Sequence, residues 1–143
     1  MILIDTSVWV AATREPASRA ANTLGLLIDA DEALLALPVR LELLAGVARK
    51  DRTAFTRALS ALPVVAPSDE TWQLIEGWIE PAANRGHRFA VTDLLIAGLA
   101  HEADALVWSL DADFERMESL KMVRLYEPTI DASASNAGRA SSR

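Results

Sequence analysis

The chain has 143 residues, 51% apolar and 24% charged, which suits one globular domain with a full core and excludes a disordered or collagenous chain. The absence of cysteine excludes a disulfide framework, a thiolate zinc site and a cysteine nucleophile. Fourteen Lys and Arg against twenty Asp and Glu leave a net charge of −6, which argues against a protein that holds nucleic acid mainly through a basic surface.

Apolar runs of strand length alternate with segments of helical period. Ile2-Leu3-Ile4 is a short unbroken run closed by Asp5-Thr6-Ser7, the pattern of a buried parallel strand entering a helix. Thr6 or Ser7 is expected to cap that helix, which runs through Trp9 and Val10. Ala20, Leu24, Leu27 and Ile28 give a second helix after Pro16. Leu34 to Leu37 reads as a strand, and Pro38 suits the first turn of a helix faced by Leu41, Leu44, Ala45 and Ala48. Gly46 inside that pattern costs roughly 1 kcal/mol relative to Ala, and a close helix contact or access to a pocket would justify it. Asp51 is placed to cap the next helix, through Phe55 and Leu59.

Pro63 to Pro67 brackets a brief strand, and Ser68 caps a helix whose Trp72, Ile75, Trp78, Ile79 and Ala82 form one stripe, stopped by Gly86. That stripe reads as core or dimer face rather than as a base-stacking platform, which needs exposed rings. Leu94 to Ala100 is apolar all round, so its helix is buried on most sides. Ala105 to Trp108 and Met122 to Leu125 supply two more strands. The alternation implies an α/β fold with a parallel sheet of about five strands covered on both faces. The folded domain is expected over 1–128, and 129–143, rich in Ala, Ser, Asn, Gly and Arg, reads as a disordered tail. The first residues lack a basic n-region, and no apolar run approaches the ~20 residues of a membrane span, so a cytoplasmic chain without membrane contact is expected.

Ligands of parallel sheets bind beyond the carboxyl ends of the strands, and acids stand there: Asp5, Glu42, Asp93, and Asp111 with Asp113 nearby. Each has a plain explanation. Asp93 could stabilise a helix dipole, Glu42 could be solvated, and Asp111 and Asp113 could cap the turn carrying Phe114 and Met117. Asp5 is harder to dismiss, because it ends a strand that belongs in the middle of the sheet. Acids brought together disfavour ionisation and need a cation. With oxygen ligands alone the fitting ions are Mg²⁺ or Mn²⁺, the ions of phosphodiester hydrolysis.

Four stretches carry these acids: Ile4-Asp5-Thr6-Ser7, Arg40-Leu41-Glu42-Leu43-Leu44-Ala45-Gly46, Thr92-Asp93-Leu94-Leu95-Ile96-Ala97, and Ser109-Leu110-Asp111-Ala112-Asp113-Phe114. In order and spacing they resemble the four motifs of PIN domains and, more narrowly, those of the VapC toxins of toxin–antitoxin pairs, over nearly the whole chain up to Leu125. The resemblance implies a three-layer α/β/α fold and a Mg²⁺- or Mn²⁺-dependent endoribonuclease acting on RNA. It also implies a homodimer and a VapB-type antitoxin. Carried over, Asp5, Glu42, Asp93 and Asp111 are the catalytic acids. Asp5, Asp93, Asp111 and Asp113 are the metal ligands, with Thr6 and Ser109 as hydroxyl supports. Ser109 stands where the family more often has threonine, and the His87-Arg88 pair is not a family signature.

Arg40, Arg49, Lys50, Arg52 and Arg57 outnumber Glu42 and Asp51, either as a solvated face or as a phosphate track, and Arg85, His87 and Arg88 form a smaller basic group. His101 lacks the partners of a triad or a zinc site. A haloacid-dehalogenase-like phosphatase wants an Asp at position 7, where Ser7 stands. A receiver domain wants an acid after the third strand, where Ala66-Pro67-Ser68 stands. A PIN-like module that binds without cutting is the remaining alternative, and loss of one acid of the quartet would be its mark.

Overall fold

The computed structural model describes residues 1–129. Strand β1 (Ile2–Ile4) leads into α1 (Thr6–Arg14) and α2 (Arg19–Asp29); β2 (Ala33–Ala36) into α3 (Leu37–Gly46) and α4 (Arg52–Leu59). Then follow β3 (Val64–Val65), α5 (Asp69–Asn84), α6 (Val91–Glu102), β4 (Leu106–Trp108) and α7 (Ala112–Ser119). The strands form one parallel sheet in the order β3-β2-β1-β4. Successive residues of a strand face opposite sides of the sheet, yet Ile2, Leu3 and Ile4 are all buried. Helices therefore cover both faces of β1, as the expected three layers require.

Among the described residues the sheet has four strands, against about five expected. Where the fifth was expected, Leu125 makes a single parallel bridge with Val107, framed by Val107 N–H to the Arg124 carbonyl (2.9 Å) and Tyr126 N–H to the Val107 carbonyl (2.8 Å). Met122 and Val123 are buried, Lys121 takes a left-handed turn (φ 61°), and the chain meets β4 only near Leu125. Beyond it, Pro128 and Thr129 give their carbonyls to the Arg19 guanidinium at 3.1 and 2.6 Å. The tail expected over 129–143 lies, from residue 130 on, outside the described residues.

Other local expectations are also corrected. The cap of α1 is Asp5, whose carboxylate accepts the Ser7 N–H, so neither hydroxyl residue fills that position. Asp51 stands at the start of α4 without a side-chain capping bond, whereas Ser68 and Thr71 cap α5 reciprocally. Gly46 closes α3 with open space around it and makes no close contact. The close approach is at Gly98, where a Cβ would stand 2.8 Å from Ile75 Cγ2 and 3.2 Å from Thr71 Cγ2. The stripe on α5 divides: Ile75 and Ala82 are buried and Trp78 is partly so, while Trp72 and Ile79 are 47% and 55% exposed. Leu94 to Ala100 on α6 are buried without exception.

Candidate active site

The register of β1 beside β4 builds the first part of the site. Ile4 pairs with Trp108, so Asp5 and Ser109 leave the sheet side by side, and the Asp5 N–H reaches the Trp108 carbonyl at 2.9 Å. Asp5 is 6% exposed, a buried acid that needs donors. Its Oδ2 accepts from Ser7 Oγ (2.6 Å), Ser109 Oγ (2.8 Å) and the Ser7 N–H (3.3 Å). The two hydroxyls accept in turn: Ser7 Oγ from the Leu110 N–H and Ser109 Oγ from the Asp111 N–H, each at 3.0 Å. One hydroxyl network thus ties the end of β1 to the loop leaving β4, and it engages Asp5 through Oδ2.

Asp111 caps α7, its Oδ1 accepting the Asp113 N–H at 2.9 Å, and Asp113 is paired with Arg116 one turn along the helix. Glu42, exposed in the second turn of α3, accepts from the Thr6 hydroxyl. Asp93 is half-buried in the first turn of α6. Its carboxyl is pushed up to about 6, by burial first and then by the charges of Asp5, Asp111, Asp113 and Glu42. Four of the five acids expected from the sequence therefore bear on the fifth, Asp93, although together they come from four separate stretches of the chain.

Carboxylate oxygens of Asp93, Asp111 and Asp113 lie within 4.8 Å of one another. Two oxygens on one octahedral Mg²⁺ stand roughly 3 to 4.2 Å apart at metal–oxygen distances of about 2.1 Å, so small side-chain adjustments would let this trio share an ion. An all-carboxylate donor set suits Mg²⁺ or Mn²⁺. Asp5 stands outside the trio, with one oxygen already committed to three donors.

The basic residues divide. Arg40 is half-buried and donates to Ser60 Oγ at 3.1 Å, a contact that braces α3 against the end of α4. Arg49, Lys50 and Arg52 are exposed. Arg85 lines a separate cavity of about 270 Å³ with Trp78, Pro81 and residues 119–122. Arg88 is exposed, and His87 stacks on Phe89 with ring centroids 5.7 Å apart. His101 is exposed and meets Trp78 edge-on.

Two residues here were not expected from sequence. Ser7, one of the two residues expected to cap α1, instead holds the buried acid with its hydroxyl, and the Asp5-x-Ser7 spacing at a strand end is the signal for it. Arg116 pairs with Asp113 from three residues along the helix, a spacing that is itself the sequence signal.

The PIN domain profile matches residues 2–120. A VapC ribonuclease of Mycobacterium bovis and ribonuclease VapC11 of Mycobacterium tuberculosis are each 33% identical over 120 residues, covering 80% of this chain and 90% of theirs. Among solved structures, that of VapBC2 from Rickettsia felis bound to a promoter DNA fragment superposes with a TM-score of 0.70. It is 22% identical and covers 88% of this chain and 98% of its counterpart, a likeness of fold.

Proposed function

The chain belongs to the PIN-domain family and within it to the VapC ribonucleases, and on that premise we propose that it is a Mg²⁺- or Mn²⁺-dependent endoribonuclease toxin restrained by a VapB-type antitoxin. The observation that carries this reading is the convergence of acids from four stretches on Asp93, whose carboxyl is pushed up to about 6. Such an arrangement costs stability by itself and is relieved by a cation.

Asp93, Asp111 and Asp113 are the residues to hold the ion, with Asp5 completing the set through its second oxygen. When bound, the ion supplies positive charge to a phosphodiester and activates water for its hydrolysis. The chain's own part is orientation. Ser7 and Ser109 hold Asp5 in one rotamer, Thr6 holds Glu42 at the rim, and the cap on α7 fixes Asp111. Burial and the neighbouring carboxylates raise the affinity of Asp93 for its proton, and a cation nearby would offset that and favour the carboxylate.

Charge also supports the proposed partner. An acidic pocket attracts a cationic side chain, and Arg116 already occupies Asp113 from within the chain. A basic segment of an antitoxin would compete for the same carboxylates. Exposed Trp72 and Ile79 on α5 support a homodimer. No helix among the described residues is long and apolar enough to cross a membrane, and action on cellular RNA implies the cytoplasm.

The test is cleavage of RNA by the purified chain with Mg²⁺ or Mn²⁺ and with EDTA. Cutting that requires the ion and is lost in Asp5→Asn supports the reading. Equal cutting in EDTA would remove the metal, and the absence of cutting on any RNA would leave a binding module.

A further inference from the structure

Arg49, Arg52, Thr53, Thr56 and Arg57 line an open cavity of about 560 Å³ where the chain turns from α3 into α4. All three guanidinium groups belong to exposed residues. The ion pairs among the described residues are Arg116 with Asp113 and Arg124 with Asp104, so none of the three has a carboxylate partner. Asp51 is the one acid between 49 and 57, against Lys50 and these three arginines. Cations gathered without counter-charge, in a protein of net charge −6, form a site for an anion.

From this cavity we infer a phosphate anchor for single-stranded RNA, set apart from the cutting site. The inference rests on the ribonuclease reading and names where its substrate is gripped. Only arginines and threonines line it, so guanidinium groups and hydroxyls stand ready for the oxygens of a sugar-phosphate backbone. Chain geometry puts the anchor within reach of the acids. Four residues of helix separate Glu42 from Gly46, about 6 Å, and three more span at most about 11 Å, so the Cα atoms of Glu42 and Arg49 lie within about 17 Å. An acidic pocket repels a polyanion, and a positive grip nearby offsets that repulsion while leaving the carboxylates free for the ion. Of the basic residues of the expected track, Arg49, Arg52 and Arg57 line the anchor, while Arg40 donates to Ser60, and Arg85 of the smaller basic group lines a different cavity.

The experiment measures binding of a labelled single-stranded RNA by anisotropy at several salt concentrations, with Ca²⁺ in place of Mg²⁺ to prevent cutting. A polyglutamate peptide is the competing probe, and the full chain is compared with its R49A/R52A/R57A variant and with R49K/R52K/R57K. Three lost phosphate contacts lower the slope of log affinity against log salt by about 2 and weaken binding roughly tenfold. KM rises while kcat at saturating RNA is retained, and the lysine variant restores most of the slope. An unchanged slope in a folded alanine variant overturns the anchor. So does tighter capture of polyglutamate than of RNA, which would make the cavity a protein-docking site. A parent chain that neither binds nor cuts RNA overturns the ribonuclease reading itself, whereas a parent that cuts normally beside an unaffected variant overturns the anchor alone.

Discussion

The two halves of α6 are built to opposite ends. Its first turn sets Asp93, half-buried, among four other carboxylates, an arrangement that costs stability in the metal-free protein. Its second half is close-packed. Gly98 lets α5 approach until a Cβ would strike Ile75, and Glu102 accepts the Thr71 hydroxyl at 2.6 Å. A carboxylate at the C-terminal end of α6 is unfavourable for its own helix dipole, but here it stands at the N-terminal end of α5, where it is favourable. The difference shows how one helix can tolerate a destabilised acid: packing at one end holds the backbone in place while the other end waits for a cation.

Substitutions can break each half separately. Asp93→Asn is expected to have the largest effect, lowering RNA cleavage by at least about 100-fold, since even residues that only support metal ligands are worth about 10–100-fold. In EDTA near neutral pH the same variant should melt no lower than the parent, because a repelled charge has been removed. A thermal melt beside the cleavage assay checks both. Gly98→Val should do the reverse: a loss of about 2 kcal/mol from overpacking, seen as a melting temperature lower by roughly 8 °C, with cleavage kept below the transition. Gly77→Ala, on the same helix pair but with open space around it, should raise the melting temperature.

Ser109→Ala removes one of the hydroxyls holding Asp5 and should cost about tenfold in kcat/KM, with a matching loss of Mn²⁺ affinity by calorimetry. Full activity would show that Ser7 alone positions Asp5. The smallest effect is on pH. Asp93 binds its proton more tightly folded, at about 6, than at its ordinary 3.8. Its stabilising contribution is therefore complete below about pH 4 and is lost as the pH rises through about 6. After allowance for solvent screening of a half-exposed group, this amounts to about 1 kcal/mol. Denaturant unfolding in EDTA at about pH 4.5 and about pH 7.5 should show the metal-free parent losing that much relative to Asp93→Asn. An unchanged difference would mean that Asp93 does not titrate in this window.

Much of this was legible in the chain alone. The β1 acid, the α7 cap and the buried α6 helix all follow from local rules, because an apolar run, a capping residue and a helical period act over a few neighbouring residues. The fifth strand was overread for the same reason: Met122 to Leu125 has strand composition, but pairing depends on where the chain can reach β4, and that occurs only near Leu125. The close contact expected as one reason for Gly46 is found instead at Gly98, because spacing cannot tell open space from a neighbouring helix.

The sequence by itself determined the kind of chemistry, by placing acids and no cysteine at strand ends and helix starts in the order of the PIN-domain motifs. It also determined the alternation of elements that makes a parallel sheet. Only the tertiary structure decided that Ser109 grips Asp5 from 104 residues away, that Asp93 is the acid whose proton is held, and that Arg40 is a brace while Arg57 joins a positive cavity. Burial and charge repulsion act through space, so their strength depends on distances that neighbours in the chain do not encode.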